Sequence, residues 1–212
     1  MTGETAYAGR ATLTMAHTSG RRRYARSAMV LHWTIALLIL TQIGIGWYMN
    51  EALPDHSPAQ AGILTLHISV GLTILLLVLI RIGVRLANPA PPLPPGMALW
   101  ERVFARASHL LFYVLMLAMP LTGWALASLG ARPIQFWGLL WPHLPGLGLL
   151  FGSPAPRPVR HELSHIHVYI LIWIVLITLA LHVAGALKHQ FDGRPVLWRM
   201  MPGKPRPDSI GR

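Results

Sequence analysis

The chain has 212 residues, of which 53% are hydrophobic and only 12% charged, about half the charged share of an ordinary soluble domain. Its 18 Lys plus Arg against 7 Asp plus Glu give a net charge of +11. A composition so apolar and so basic excludes a disordered chain and a soluble nucleic-acid binder, and leaves a membrane protein whose charges sit outside the lipid.

Residues 1–23 read as a flexible N-terminal tail with a basic end, Arg21, Arg22 and Arg23. The apolar run that follows is too long for a signal peptide and lacks a small-residue cleavage site, so it is expected to stay as an anchor. Four windows are long and apolar enough to span a bilayer: residues 28–49, 63–84, 104–127 and 164–187. Residues 88–95 (NPAPPLPP) form an extended, stiff connector. The long connection 128–163 carries Phe136, Trp137, Trp141 and Phe151 among Pro and Gly, which suits the membrane interface. His161 is expected in that loop. Residues 24–203 read as one four-helix domain, followed by a C-terminal tail, 204–212.

Positive charge sets the expected orientation. Fifteen of the 18 basic residues fall in the N-terminal tail, the connection between spans two and three, and the C-terminal segment; Arg132, Arg157 and Arg160 fall on the other side. The fold class expected is an all-α membrane protein, an up-down-up-down bundle of four transmembrane helices with both termini cytoplasmic. The basic excess then meets anionic lipid rather than nucleic acid.

There is no cysteine. That excludes disulfides, zinc–thiolate sites, cysteine-ligated iron–sulfur clusters and c-type haem attachment. It leaves 11 histidines. Ionisable residues inside spans are rare and usually functional, and every span has a histidine. His32 and His182 lie near the inner face, and His67 and His167 near the outer. Two histidines on facing helices at one depth can hold a haem iron from both sides. His167 and His182 are 15 residues apart, about 22 Å along a helix but about 60° apart around it. A 14-residue spacing would align them better, and a π-bulge would absorb the extra residue. His165 is the alternative outer ligand on span four. Ala36, Gly71 and Ala186, each four residues beyond a histidine, leave room beside it. Gly44, Gly46 and Gly123 permit close helix approach. His109 and His189 lie near the inner level, where hydrogen bonding at the interface competes with contact to a haem propionate or a quinone, including proton transfer. Arg81 is placed to pair with an inner propionate. Arg85, four residues on, reads as a snorkelling residue. His56 and His143 read as loop residues.

In order along the chain, residues 24–33 (YARSAMVLHW), 67–71 (HISVG), 81–95 (RIGVRLANPAPPLPP), 109–124 (HLLFYVLMLAMPLTGW), 181–191 (LHVAGALKHQF) and 197–201 (LWRMM) resemble the bacterial cytochrome b561 family of four-helix dihaem membrane proteins. The resemblance implies two haem b groups, with axial ligands at His32, His67 and His182. The family's outer ligand on span four usually sits 14 residues before the inner one, which is Val168 here, and His167 is the nearest histidine. His189 matches a histidine that in the family lies near the inner haem and a proposed quinone site.

The resemblance also implies electron transfer with the quinone pool in the bacterial inner membrane. Most concretely, superoxide would be oxidised at the outer face and ubiquinone reduced, as in some family members. One alternative is a cytochrome b subunit of a quinone-linked dehydrogenase or hydrogenase, with the outer loop as the docking face for a redox partner subunit. The other is a non-haem structural or transport bundle. The spans hold no buried acids or paired helix breaks of the kind transporters use.

Overall fold

The computed structural model describes residues 23–93, 96–192 and 196–201. The two expected tails, apart from Arg23, lie outside the described residues, as does the end of the Pro-rich connector.

Four long helical runs dominate: α1 (Arg26–Glu51), α2 (Pro58–Ala87), α3 (Leu99–Ser128), and a fourth run made of α5 (Arg157–His165), a π-helical segment (Ile166–Leu171) and α6 (Ile172–Phe191). The short α4 (Leu147–Phe151) lies between α3 and α5. All four runs are long and apolar enough to cross a membrane. Even the 26-residue α1 is about 39 Å long, against a hydrocarbon core of about 30 Å. Each run extends beyond its apolar window, because polar end residues continue the helix into the interface. Ser57 caps α2 by accepting from the Gln60 backbone N–H at 3.1 Å, with Pro58 in the first turn. Pro158 similarly lies in the first turn of α5, so the expected loop 157–163 is helical and His161 stands exposed on it.

Neighbouring runs are antiparallel. Arg81, late in α2, donates to the Ala28 carbonyl at the start of α1. Thr122, late in α3, meets His167 early in the fourth run. Lys188, near the end of α6, meets Glu101 at the start of α3. The chain is thus an all-α, four-helix, up-down-up-down membrane bundle. Both ends of the described chain lie at one end of the bundle, the terminal end. There Arg23 donates to the Met201 carbonyl, and the Trp33 indole donates to Met200 O at 2.8 Å.

The packed core is small. Ile35, Val70, Ile74 and Val78 are buried together, flanked by Leu38, Ile39, Leu77, Met116 and Leu117. Most large apolar side chains face outward instead, Trp47 and Leu86 among them. In water such exposure would forgo about 25 cal/mol per Å²; against lipid chains it does not.

The other end of the bundle carries an element the apolar windows did not announce. Strands β1 (Ile134–Phe136) and β2 (Leu139–Trp141) form an antiparallel hairpin, with Phe136 opposite Leu139. Trp137 and Gly138 both have positive φ, 51° and 85°, as a tight two-residue hairpin turn requires. The turn is held against α2: the Trp137 backbone N–H donates to buried Ser69 Oγ at 3.1 Å, and its indole donates to Thr73 Oγ1 at 3.0 Å. Backbone polar groups at membrane depth need such partners. The Trp124 indole pins the following segment by donating to Pro142 O at 2.9 Å.

Candidate functional site

Two imidazole pairs sit inside the bundle, one toward each end. Toward the hairpin end, the His67 and His167 rings lie 6.3 Å apart, centre to centre, at 80°. His67 sits on α2, where Gln42 Nε2 of α1 donates to its backbone carbonyl at 2.8 Å. His167 sits in the π segment. A π turn carries an extra residue per hydrogen-bonded ring, so the 15-residue spacing to His182 is drawn toward the better-aligned 14. His165 turns away, is exposed, and lies against Tyr169 with ring centres 5.4 Å apart.

Two glycines back the hairpin-end rings. A Cβ on Gly46 of α1 would lie 3.3 Å from His67 Cε1, and one on Gly123 of α3 would lie 3.2 Å from His167 Cε1. The space at Gly71 is taken by Gln42, whose Nε2 would lie 3.3 Å from an added Cβ, while Gly44 has nothing within 4 Å. Thr122 Oγ1 donates to a carbonyl of its own helix, at Ala118 or Met119, and lies 2.8 Å from His167 Nδ1. With its single proton so used, the hydroxyl accepts from Nδ1–H. This leaves the Nε2 lone pair free for a metal.

Toward the terminal end, His32 of α1 and His182 of α6 have ring centres 6.4 Å apart. Three further groups crowd this pair. The His109 ring is 5.4 Å from His182, and the Phe112 ring 5.1 Å. His109 Nδ1 donates to the carbonyl of Ala105 one turn back. Arg81 lies against His32, with Nη2 3.4 Å from Nδ1, while Nη1 donates to Ala28 O at 3.1 Å. Because a guanidinium only donates, His32 Nδ1 accepts in this contact. Metal ligation through Nε2 requires that long contact to yield. Arg85 stands apart, with its guanidinium 5.8 Å from the Tyr24 ring centre.

Beyond the pair, His189 Nδ1 is buried without a hydrogen-bond partner among the described residues. One ring nitrogen of His189 lies within 4.8 Å of carboxylate oxygens of Glu101 and Asp192. Those two acids, with Lys188 between them, form a cluster that sequence reasoning did not single out. The only signal for it was an acid and a base at the ends of different spans, 87 positions apart. His143 is a loop residue whose Nδ1 lies 3.1 Å from Ser128 O, and His56 is a loop residue with φ 61°.

The arrangement fits a haem iron at either pair. Imidazoles that each bind a metal at about 2 Å through nitrogen, with the ring centre about 1 Å further, stand about 6 Å apart. Both pairs have this spacing. The donors are nitrogens alone, the set for a bis-histidine b-type haem. His67 Nδ1 is also buried without a partner among the described residues.

The comparisons agree with this chemistry. The family described as "Prokaryotic cytochrome b561" matches residues 23–203. Among curated proteins, the chain is 27% identical to "Cytochrome b561 homolog 2" of Escherichia coli (strain K12), over 92% of this chain and 98% of that one. It is 29% identical to "Probable superoxide oxidase CybB" of Yersinia pestis, over 86% and 98% respectively. It is 36% identical to "Cytochrome b562" of Cereibacter sphaeroides, over 48% of this chain and 66% of that one. A family match across nearly the whole chain, on a four-span bundle, closes the non-haem alternative: the chain is a multi-pass membrane haem protein and belongs to the prokaryotic cytochrome b561 family.

Proposed function

We propose that residues 24–203 form a dihaem domain that oxidises superoxide at the hairpin end and reduces ubiquinone at the terminal end. One haem b is assigned to His32 and His182, the other to His67 and His167. The observation that carries this reading is the pair of matched imidazole spacings, 6.4 and 6.3 Å, one toward each end of the bundle. The proposed setting is the bacterial inner membrane with the hairpin outside and both termini cytoplasmic. By sequence position, fifteen of the 18 basic residues fall in the N-terminal segment, the α2–α3 connection with its fringes and the C-terminal segment, which supports that orientation.

When bound, the haems supply one-electron redox centres at the two levels. The chain supplies position, dryness and protons. Thr122 holds the His167 ring in one tautomer, and Gly46 and Gly123 let both hairpin-end rings lie close to backbone. On α2, Val70, Ile74 and Val78 fall between His67 and Arg81, so the stretch between the two levels is apolar and dry. Arg132 and Arg157 are exposed, but so are Glu51, Asp55 and Glu162, and this balance of charge gives no argument for or against capture of an anionic substrate. The superoxide assignment draws on the name of the Yersinia pestis relative. His109 and His189 lie at the terminal end, where a quinone would need polar contacts and protons; Arg81 is assigned to an inner propionate.

A visible spectrum and a haem-to-protein ratio test the cofactor assignment. Two bis-imidazole b haems are expected per chain. His67→Ala and His167→Ala should each remove one, His32→Ala and His182→Ala the other, and His165→Ala neither. Loss of a haem in His165→Ala but not in His167→Ala would show the outer assignment wrong. A superoxide pulse on the haem-loaded protein in nanodiscs tests the activity. Absence of haem reduction would refute the superoxide reading and leave electron entry to a partner dehydrogenase.

A further inference from the structure

We propose that Asp192, Lys188 and Glu101 form a proton-entry relay that feeds His189 from the aqueous edge of the terminal end. The inference rests on the quinone-reduction reading above. Reducing a quinone to a quinol adds two electrons and two protons and forms two O–H bonds. In the proposed reaction the electrons come from two superoxide anions, each leaving as dioxygen. The protons must come from water, and the terminal end needs a path for them.

The cluster runs from surface to interior. Asp192 is exposed, and its Oδ2 accepts from Lys188 Nζ at 2.7 Å. The same Nζ donates to Glu101 Oε1 at 2.8 Å. The Glu101 side chain is only 7% exposed. A ring nitrogen of His189 lies within 4.8 Å of the Glu101 carboxylate, a gap that one bridging water spans. His189 Nδ1 is buried without a partner among the described residues, so the ring has unused hydrogen-bonding capacity inside the protein.

Lys188 makes the path a gate. It is one turn from Asp192 on α6, and its flexible stem reaches Asp192 and Glu101 alike. While Lys188 pairs with Glu101, the buried carboxylate keeps its counter-charge. When Lys188 turns wholly to Asp192, Glu101 takes up a proton from water at that edge. Return of Lys188 drives that proton on to His189, and the ring releases one from its other nitrogen to the quinone oxygen. The charged and titratable groups placed against Glu101 include Lys188 and His189 of α6 and Asp192 at its C-cap. Glu101 Oε2 also accepts from the Ala98 backbone N–H at 3.1 Å, which fixes the carboxylate at the start of α3.

The test uses the full-length, haem-loaded protein in nanodiscs with ubiquinone and a superoxide source. Glu101→Gln keeps the shape and one of the two accepted hydrogen bonds but cannot carry a proton. It should slow quinol formation about 10²-fold at mildly basic pH, with a smaller deficit at mildly acidic pH. Haem reduction in the first turnover and ubiquinone affinity, read by tryptophan quenching, should stay at wild-type values. Formate, a small diffusible acid, should restore part of the rate in Glu101→Gln and leave wild type unchanged. Lys188→Met should show the same pH-dependent slowing, and it carries the test if Glu101→Gln does not assemble. Wild-type quinol formation across the pH series in both variants overturns the relay and leaves the quinone reading standing. No quinol from the wild-type protein overturns both.

Discussion

On the proposed dihaem assignment, adding one methyl group on either side of the hairpin-end pair should loosen one haem and spare the other. In Gly46→Ala the new Cβ lies 3.3 Å from His67 Cε1 and 3.7 Å from Nδ1; in Gly123→Ala it lies 3.2 Å from His167 Cε1. Carbon atoms prefer about 3.5–4.0 Å, so the ring must retreat by a few tenths of an ångström. Overpacking of this kind costs about 1–3 kcal/mol, which corresponds to a roughly 5–150-fold weaker hold on the outer haem. Gly44→Ala is the internal control. It lies one turn-half away on α1 with nothing within 4 Å of its Cβ, and replacing a mid-helix glycine by alanine favours the helix by about 0.5–1 kcal/mol. Haem retention during dilution in detergent, followed at the two b-band components, reads the outcome. Equal haem loss in Gly44→Ala and Gly46→Ala, or depletion of the inner haem by Gly46→Ala, would refute the reasoning.

Three further outcomes are expected. Thr122→Val removes the hydroxyl that orients His167 and should weaken the outer haem about 10–100-fold, with Thr122→Ser close to wild type in the same retention assay. Arg81→Gln removes a cation beside His32 and should lower the inner haem's potential by about 50–100 mV, the worth of about 1–2 kcal/mol for a one-electron couple, without moving the outer one in a redox titration. Ser69→Ala leaves the Trp137 N–H without its acceptor, a loss of about 1–3 kcal/mol at the turn. Amide exchange at Trp137 and Gly138 should rise while exchange in the α1–α2 core stays slow.

The four spans were legible because apolar runs of bilayer length have few other uses, and the bundle followed from them. The pairing of His32 with His182 was legible from depth alone, since helical rise turns sequence position into height. The choice between His165 and His167 was not, because periodicity assumes a constant 3.6 residues per turn and the π segment breaks it. The sequence shows only the arithmetic consequence, a spacing one residue too long. The hairpin was missed because its two strands have three residues each, too short for alternation to register. Its one local sign was Gly138 after Trp137, the position where positive φ is needed. The helix from Arg157 to His165 was hidden by its polarity, although Pro158 marked its first turn. The Glu101–Lys188 contact had no local sign, because only the packing of α3 on α6 brings the two residues together.

The two imidazole pairs share a spacing but not an environment, and the difference bears on direction. Around His67 and His167 the neighbours are neutral: Gln42, Thr122 and two glycines. Around His32 and His182 they include the Arg81 guanidinium, with Arg23, Arg85 and Lys188 at the same end of the bundle. A fixed positive charge beside a redox centre favours its reduced, less positive state, and it does so strongly where water is excluded. On the proposed assignment the inner haem is therefore the better electron acceptor, and flow from the hairpin end to the terminal end is downhill. The basic residues proposed to orient the chain in the membrane would thus also bias it. On that assignment, the cations at the terminal end would draw electrons toward the end where His189, Glu101 and Lys188 are proposed to supply protons.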